Sequence, residues 1–169
     1  MYRSRVVIAL ASVIVAIVLQ TTVFGAGRIQ PFGVAPALVT LVIVLLAPYI
    51  EAEYHVMIGF TAGLLMDLMG SGTLGLWAMS MTVVAFTAHR VRQRFADRLS
   101  MTLVVAGALT FLGQFVFVVL GTLFGQGTMG EPGLIGKLLL PALWNVALAV
   151  PIALGFRLIF RSRDRSWAR

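Results

Sequence analysis

The sequence predicts an all-α, polytopic integral membrane protein with six transmembrane helices and both termini in the cytoplasm. Three observations carry this reading. Hydrophobic residues fill 60% of the 169 positions and charged residues only 11%, more apolar surface than one soluble core of this size can hide. The apolar residues fall into six runs, each near the about 20 residues needed to cross a hydrocarbon core of roughly 30 Å. The basic residues gather at alternate ends of those runs, as the positive-inside rule requires.

Arg3 and Arg5 precede an uncharged run over 6–27. It is longer than the roughly 7 to 15 apolar residues of a signal-peptide core, so it is expected to be a retained first span. Arg28 and Gln30-Pro31-Phe32-Gly33 break the pattern, and a second span covers 34–50, with Pro36 near its start, where a missing N–H is tolerated. The short turn Glu51-Ala52-Glu53 leads into a third span over 54–69, which holds His55 and the one deeply placed acid, Asp67. Gly70-Ser71-Gly72-Thr73 then breaks the chain before a short fourth span over 74–88, so spans three and four form a helical hairpin.

Residues 89–100 turn basic, with Arg90, Arg92, Arg94 and Arg98, while Val91, Phe95 and Leu99 recur at every fourth position. This pattern predicts a short interfacial helix on an anionic leaflet. A fifth span covers 101–124, a glycine-rich loop 125–133, and a sixth span 134–160. Pro141 and Pro151 each remove a backbone donor from that last span, which is therefore expected to be kinked or locally broken. The whole chain, 1–169, forms a single transmembrane domain.

Orientation follows from the basic residues. Eleven of the thirteen, namely Arg3, Arg5, Arg90, Arg92, Arg94, Arg98, Arg157, Arg161, Arg163, Arg165 and Arg169, fall on one side of a six-span arrangement. Arg28 and Lys137 fall on the other. That assigns the first set to the cytoplasm. The net charge of +7 is thereby explained by topology and does not point to nucleic acid.

The sequence also excludes chemistries. It contains no Cys, and His55 and His89 show no metal-ligand spacing, so neither redox nor zinc chemistry is indicated and no cofactor is expected. There is no His-Glu-x-x-His, no Gly-x-Ser-x-Gly, no P-loop and no set of spaced aspartates, so no enzyme constellation emerges. An acid inside a span is by default a functional candidate. For Asp67 two roles stand open: a place in the bundle interior, or a wet or helix-capping position beside Gly70 and Ser71. Gly59, Gly63 and Asp67 are spaced by four and share one helix face, where two glycines permit close backbone approach. Gln20, Gln114 and Asn145 place amides in spans one, five and six, most simply as interhelical hydrogen-bonding groups. Tyr49 and Trp77 are placed as interfacial aromatic anchors. Arg90, Arg92, Arg94 and Arg98 are candidates for contact with anionic lipid.

Several stretches together resemble the bacterial rod shape-determining protein MreD family. They are Leu19-Gln20-Thr21-Thr22, then Phe32-Gly33-Val34-Ala35-Pro36-Ala37-Leu38, then Gly59 through Asp67, followed by Gly75-Leu76. The family often carries an acid directly after the proline of span two, where this chain has Ala37. The resemblance implies a non-enzymatic membrane scaffold of the cell-elongation machinery in the bacterial inner membrane, acting in peptidoglycan synthesis and regulation of cell shape. Its partners would be an MreC-like single-span membrane protein and, indirectly, the actin homologue MreB and the peptidoglycan synthases, with pairing to a second copy left open. Gln20, Pro36, Gly59, Gly63, Asp67 and Gly75 are the structural or partner-facing candidates. The competing reading is a substrate-binding membrane subunit of an energy-coupling-factor-type importer, which would need a pocket with convergent polar groups.

Overall fold

The computed structural model describes residues 2–25, 33–70, 72–92 and 99–165, and among these the chain is helical without strands. Six helices follow in order: α1 (Tyr2–Thr22), α2 (Leu38–Leu46), α3 (Ala52–Met69), α4 (Leu76–Arg92), α5 (Leu99–Leu123) and α6 (Leu134–Arg165). A single 3-10 turn, Thr128–Gly130, lies between α5 and α6. Three stretches are long and apolar enough to cross a membrane by length and composition: Arg5–Thr22, Leu99–Leu123 and Leu134–Phe160. Large apolar side chains along them, such as Val15, Val104 and Leu158, point outward and are more than half exposed.

The second predicted span is the one the structure changes most. Of the run 34–50 only Leu38–Leu46 is helical, nine residues with a rise of about 14 Å. Residues 34–37 approach without helical structure. At the other end Pro48 has no N–H to offer Val44, whose carbonyl instead takes the N–H of Ala47 at 3.4 Å. Every residue of α2 is buried, and α2 packs against all five other helices. This explains why its sequence is apolar but for Thr40 and carries no polar stripe: no face of it meets water.

Around this axis α3 and α4 form the predicted antiparallel hairpin, α5 pairs with α6, and α1 packs on α2 and α3. The expected interfacial helix over 89–100 is not a separate element where it is described. Residues 89–92 complete α4 and residues 99–100 open α5, while Arg94 and Arg98 lie outside the described residues. The sixth span is one uninterrupted helix through both Pro141 and Pro151. Pro151 sits at the exposed surface of that helix and Pro141 is buried. Tyr49 and Trp77 are packed aromatics: Tyr49 stacks on Phe160 at 4.3 Å, and Trp77 on Phe117 at 4.3 Å.

Candidate functional site

Asp67 stands on the last turn of α3, where the chain is about to reverse into α4. Its carboxylate is almost fully buried, at 6% exposure. Oδ2 accepts the backbone N–H groups of Gly75 at 2.9 Å and Ala78 at 3.1 Å, and Oδ1 accepts that of Trp77 at 3.1 Å. These are donors of the first turn of α4 and the residue before it, groups with no partner inside their own helix. A buried anion at a helix N-terminus also meets the positive end of the helix dipole. Asp67 thus caps α4 from the neighbouring helix. Gly75 completes the device, since its φ of 97° is a conformation that only glycine adopts without strain.

The two glycines upstream bring the helices close enough for that capping. A Cβ on Gly63 would lie 2.5 Å from the Ala78 Cα and nearer still to the Trp77 carbonyl oxygen. One on Gly59 would lie 2.7 Å from the Ala85 Cβ and 2.9 Å from the Met81 carbonyl oxygen. Gly59, Gly63 and Asp67 therefore act on one face: the glycines admit the backbone of α4, and the acid binds its end.

A second constellation holds α2. A helix this short leaves eight terminal backbone groups for few internal bonds, and here none of them can reach water. The surrounding helices supply partners. Gln20 of α1 accepts the N–H of Val39 with its side-chain oxygen at 3.0 Å. Asn145 of α6, fully buried, donates to the Ala37 carbonyl at 2.8 Å and to the Thr110 hydroxyl of α5 at 2.8 Å. At the far end the Nε2 of His55 lies 2.8 Å from the Ile43 carbonyl. Because a carbonyl only accepts, His55 carries its proton on Nε2. Pro36 is buried just before α2, where a residue without an N–H leaves no donor to satisfy.

The sequence set His55 and His89 apart, whereas the structure brings their rings to 6.2 Å between centroids. The hairpin itself held the signal. His55 and His89, Gly59 and Ala85, and Asp67 and Trp77 are each equidistant from residue 72, so an antiparallel pair turning there places them side by side. Among the described residues no group of three metal-ligating side chains forms. Arg90 lies with its guanidinium 5.1 Å from the Phe86 ring centre. Arg92 donates to the Thr102 hydroxyl at 3.4 Å, joining α4 to α5.

Fold and site define an all-helical membrane protein whose buried polar side chains serve the junctions between its own helices. The family model for rod shape-determining protein MreD matches residues 2–162, nearly the whole chain, and the chain belongs to that family. A role in rod-shape determination and cell shape follows from this membership. Comparison with curated proteins and with solved structures gave no match. The match lends nothing to the importer reading.

Proposed function

We propose that the protein is a non-enzymatic scaffold of the bacterial cell-elongation machinery, seated in the inner membrane. It crosses the membrane six times with both termini in the cytoplasm, and binds an MreC-like single-span membrane protein. Through that partner it communicates with the actin homologue MreB and the peptidoglycan synthases. The observation that carries this reading is the family match over residues 2–162. The physics supports it in two ways. With almost no mass outside the helices, the protein meets partners through helix faces and short connections. Its prominent polar groups, Asp67, Gln20, Asn145 and His55, are occupied with backbone atoms.

The short α2 fits a six-span arrangement once its flanks are counted. About 14 Å of helix plus at most about 13 Å of non-helical chain over 34–37 approaches the roughly 30 Å of a hydrocarbon core. Non-helical backbone at that depth is tolerated where protein encloses it, and Pro36 and Ala37, which lead into α2, are buried. The basic sequence with Arg90, Arg92, Arg94 and Arg98 then falls on the cytoplasmic side, where its charge favours an anionic leaflet. Gln20, Pro36, Gly59, Gly63, Asp67 and Gly75 keep the bundle in the shape its partner reads.

The test is affinity purification of the full chain in mild detergent from its native host. The scaffold reading expects an MreC-like single-span protein in the eluate. Recovery of a transporter ATPase complex in its place overturns it.

A further inference from the structure

Three amides lie inside the apolar spans, and the structure pairs two of them. Gln20 and Asn145 hold the start of α2. The third, Gln114 of α5, is half-buried, and its side-chain amide makes no hydrogen bond among the described residues.

Depth decides what such a group can bind. α5 runs over Leu99–Leu123, so Phe111 is its middle residue and Gln114 lies about 4.5 Å beyond it. In a hydrocarbon core of roughly 30 Å that leaves about 10 Å to the nearer boundary, farther than a glutamine side chain reaches. Water and lipid headgroups are out of range, and lipid tails offer neither donor nor acceptor. An amide left unpaired at that depth is costly, so its partner is a protein group.

The neighbours of Gln114 show which way it looks. Thr110, one turn earlier, accepts the Asn145 amide of α6. A Cβ on Gly113 would meet Val84 of α4 and Thr40 of α2, and Phe117 stacks on Trp77 of α4. Those contacts mark the buried sides of α5. Phe111 and Phe115, 38% and 45% exposed and stacked on each other, mark its outward side. Around the helix Gln114 stands between Thr110 and Phe111, at the edge of that outward side. With Gly107, Phe111 and Val118 it follows a four-three-four spacing, which makes a stripe along the helix. None of the four is fully buried.

Symmetry selects the occupant. A two-fold axis along the membrane normal sets each residue beside it against its own copy at the same depth. An acid or a base placed there would repel its copy. A carboxamide holds an acceptor and two donors, so two copies of Gln114 satisfy each other, each Oε1 accepting from the other's Nε2. A foreign helix would have to bring a polar group to this depth, whereas a second copy of this chain brings one of necessity. The paired α5 helices are then parallel, and a four-three-four stripe is the spacing at which parallel helices interdigitate.

We propose that the chain forms a two-fold dimer in the membrane through this stripe of α5, with Gln114 bonded to Gln114 of the second copy. The chain contains no cysteine, so single introduced cysteines report on it cleanly. Single-molecule photobleaching of the full chain in liposomes, labelled at a cysteine replacing the exposed Met57 of α3 and diluted stepwise in lipid, tests the proposal. Wild type is expected to bleach in two steps at high protein-to-lipid ratio and in one step at high dilution. Gln114→Leu should raise the dissociation constant about tenfold, the equivalent of about 1.4 kcal/mol. Gln114→Asn keeps the amide and should stay within about threefold of wild type. At high dilution the thermal midpoint of Gln114→Leu should be at least that of wild type, because the amide makes no bond inside the monomer. A short bis-maleimide should join two copies at Phe111→Cys and none at Met57→Cys. Single-step bleaching at every dilution overturns the proposal, as does an unchanged dissociation constant in Gln114→Leu. A lowered midpoint in dilute Gln114→Leu would place the amide in its own bundle and overturns it too. So does cross-linking of Phe111→Cys in native-host membranes to a different protein only.

Discussion

Replacing Asp67 with leucine separates the shape of the side chain from its oxygens. Leucine keeps the branching of aspartate, but its methyl groups must withdraw from positions 2.9–3.1 Å from backbone nitrogens, and three backbone N–H groups of the α4 start lose their acceptor. A buried donor left unsatisfied costs about 1–3 kcal/mol, and an exposed helix cap about 0.5–2 kcal/mol. The carboxylate is 6% exposed, beside the exposed Gly70 and Gly72, so water reaches part of the gap and the total falls near ~3 kcal/mol. Asparagine can place its oxygen where Oδ2 accepts two of the three donors, and turns an amide toward only Trp77. Asp67→Asn should therefore cost ~1 kcal/mol. For a chain of this size these correspond to thermal midpoints lower by about 6–12 °C and about 2–4 °C. Thermal unfolding in nanodiscs, followed by tryptophan emission, reads both, since Trp77 donates one of the three capped N–H groups and its ring stacks on Phe117. A leucine variant melting within 1 °C of wild type would refute the capping argument.

Gly63→Ala should destabilise by ~2 kcal/mol or more, because its Cβ meets the backbone of Ala78 and Trp77 and backbone cannot rotate away. Gly155→Ala is the control, since nothing lies within 4 Å of its added Cβ, and helix propensity favours it by up to about 1 kcal/mol; equal melting of the two variants contradicts the close-approach argument. Asn145→Leu and Gln20→Leu should each cost about 0.6–2 kcal/mol, and the double variant should be non-additive, since both act on the same end of α2; strict additivity in a thermal double-mutant cycle counts against a shared role. Alkaline phosphatase fused after Ser100 should be inactive and fused after Gly130 active, and the reverse pattern removes the proposed orientation.

How much of this was legible in the sequence depends on which physical signal was asked to speak. Helix number and the α3–α4 hairpin were legible because charges and glycines must leave the apolar environment, and they punctuate the chain at each reversal. The face shared by Gly59, Gly63 and Asp67 was legible from the helical period. The shortening of the second span was not. Hydropathy reads side chains, and residues 34–37 and 47–50 are nearly as apolar as the helix between them although Pro48 is exposed and Val34, Ala35 and Tyr49 are half-buried, so an apolar run cannot report where the helix stops. Nor could composition say what Gln20, Asn145 and His55 bind, because their partners are backbone groups of α2, which every residue carries alike. Of the two outcomes expected at Pro141 and Pro151, the local break is not found: each removes one donor, but the helix of 32 residues runs on through the bonds that remain.

The central claim is that this chain determines rod shape by holding a membrane assembly together. The most direct measurement is the length-to-width ratio of host cells depleted of the endogenous protein and supplied with wild type, Asp67→Asn or Asp67→Leu, with membrane levels of each variant quantified in parallel. Wild type should restore rods, Asp67→Asn should restore them nearly as well, and Asp67→Leu should leave cells wide and rounded. Depleted cells that keep elongating as rods of unchanged width would contradict the account.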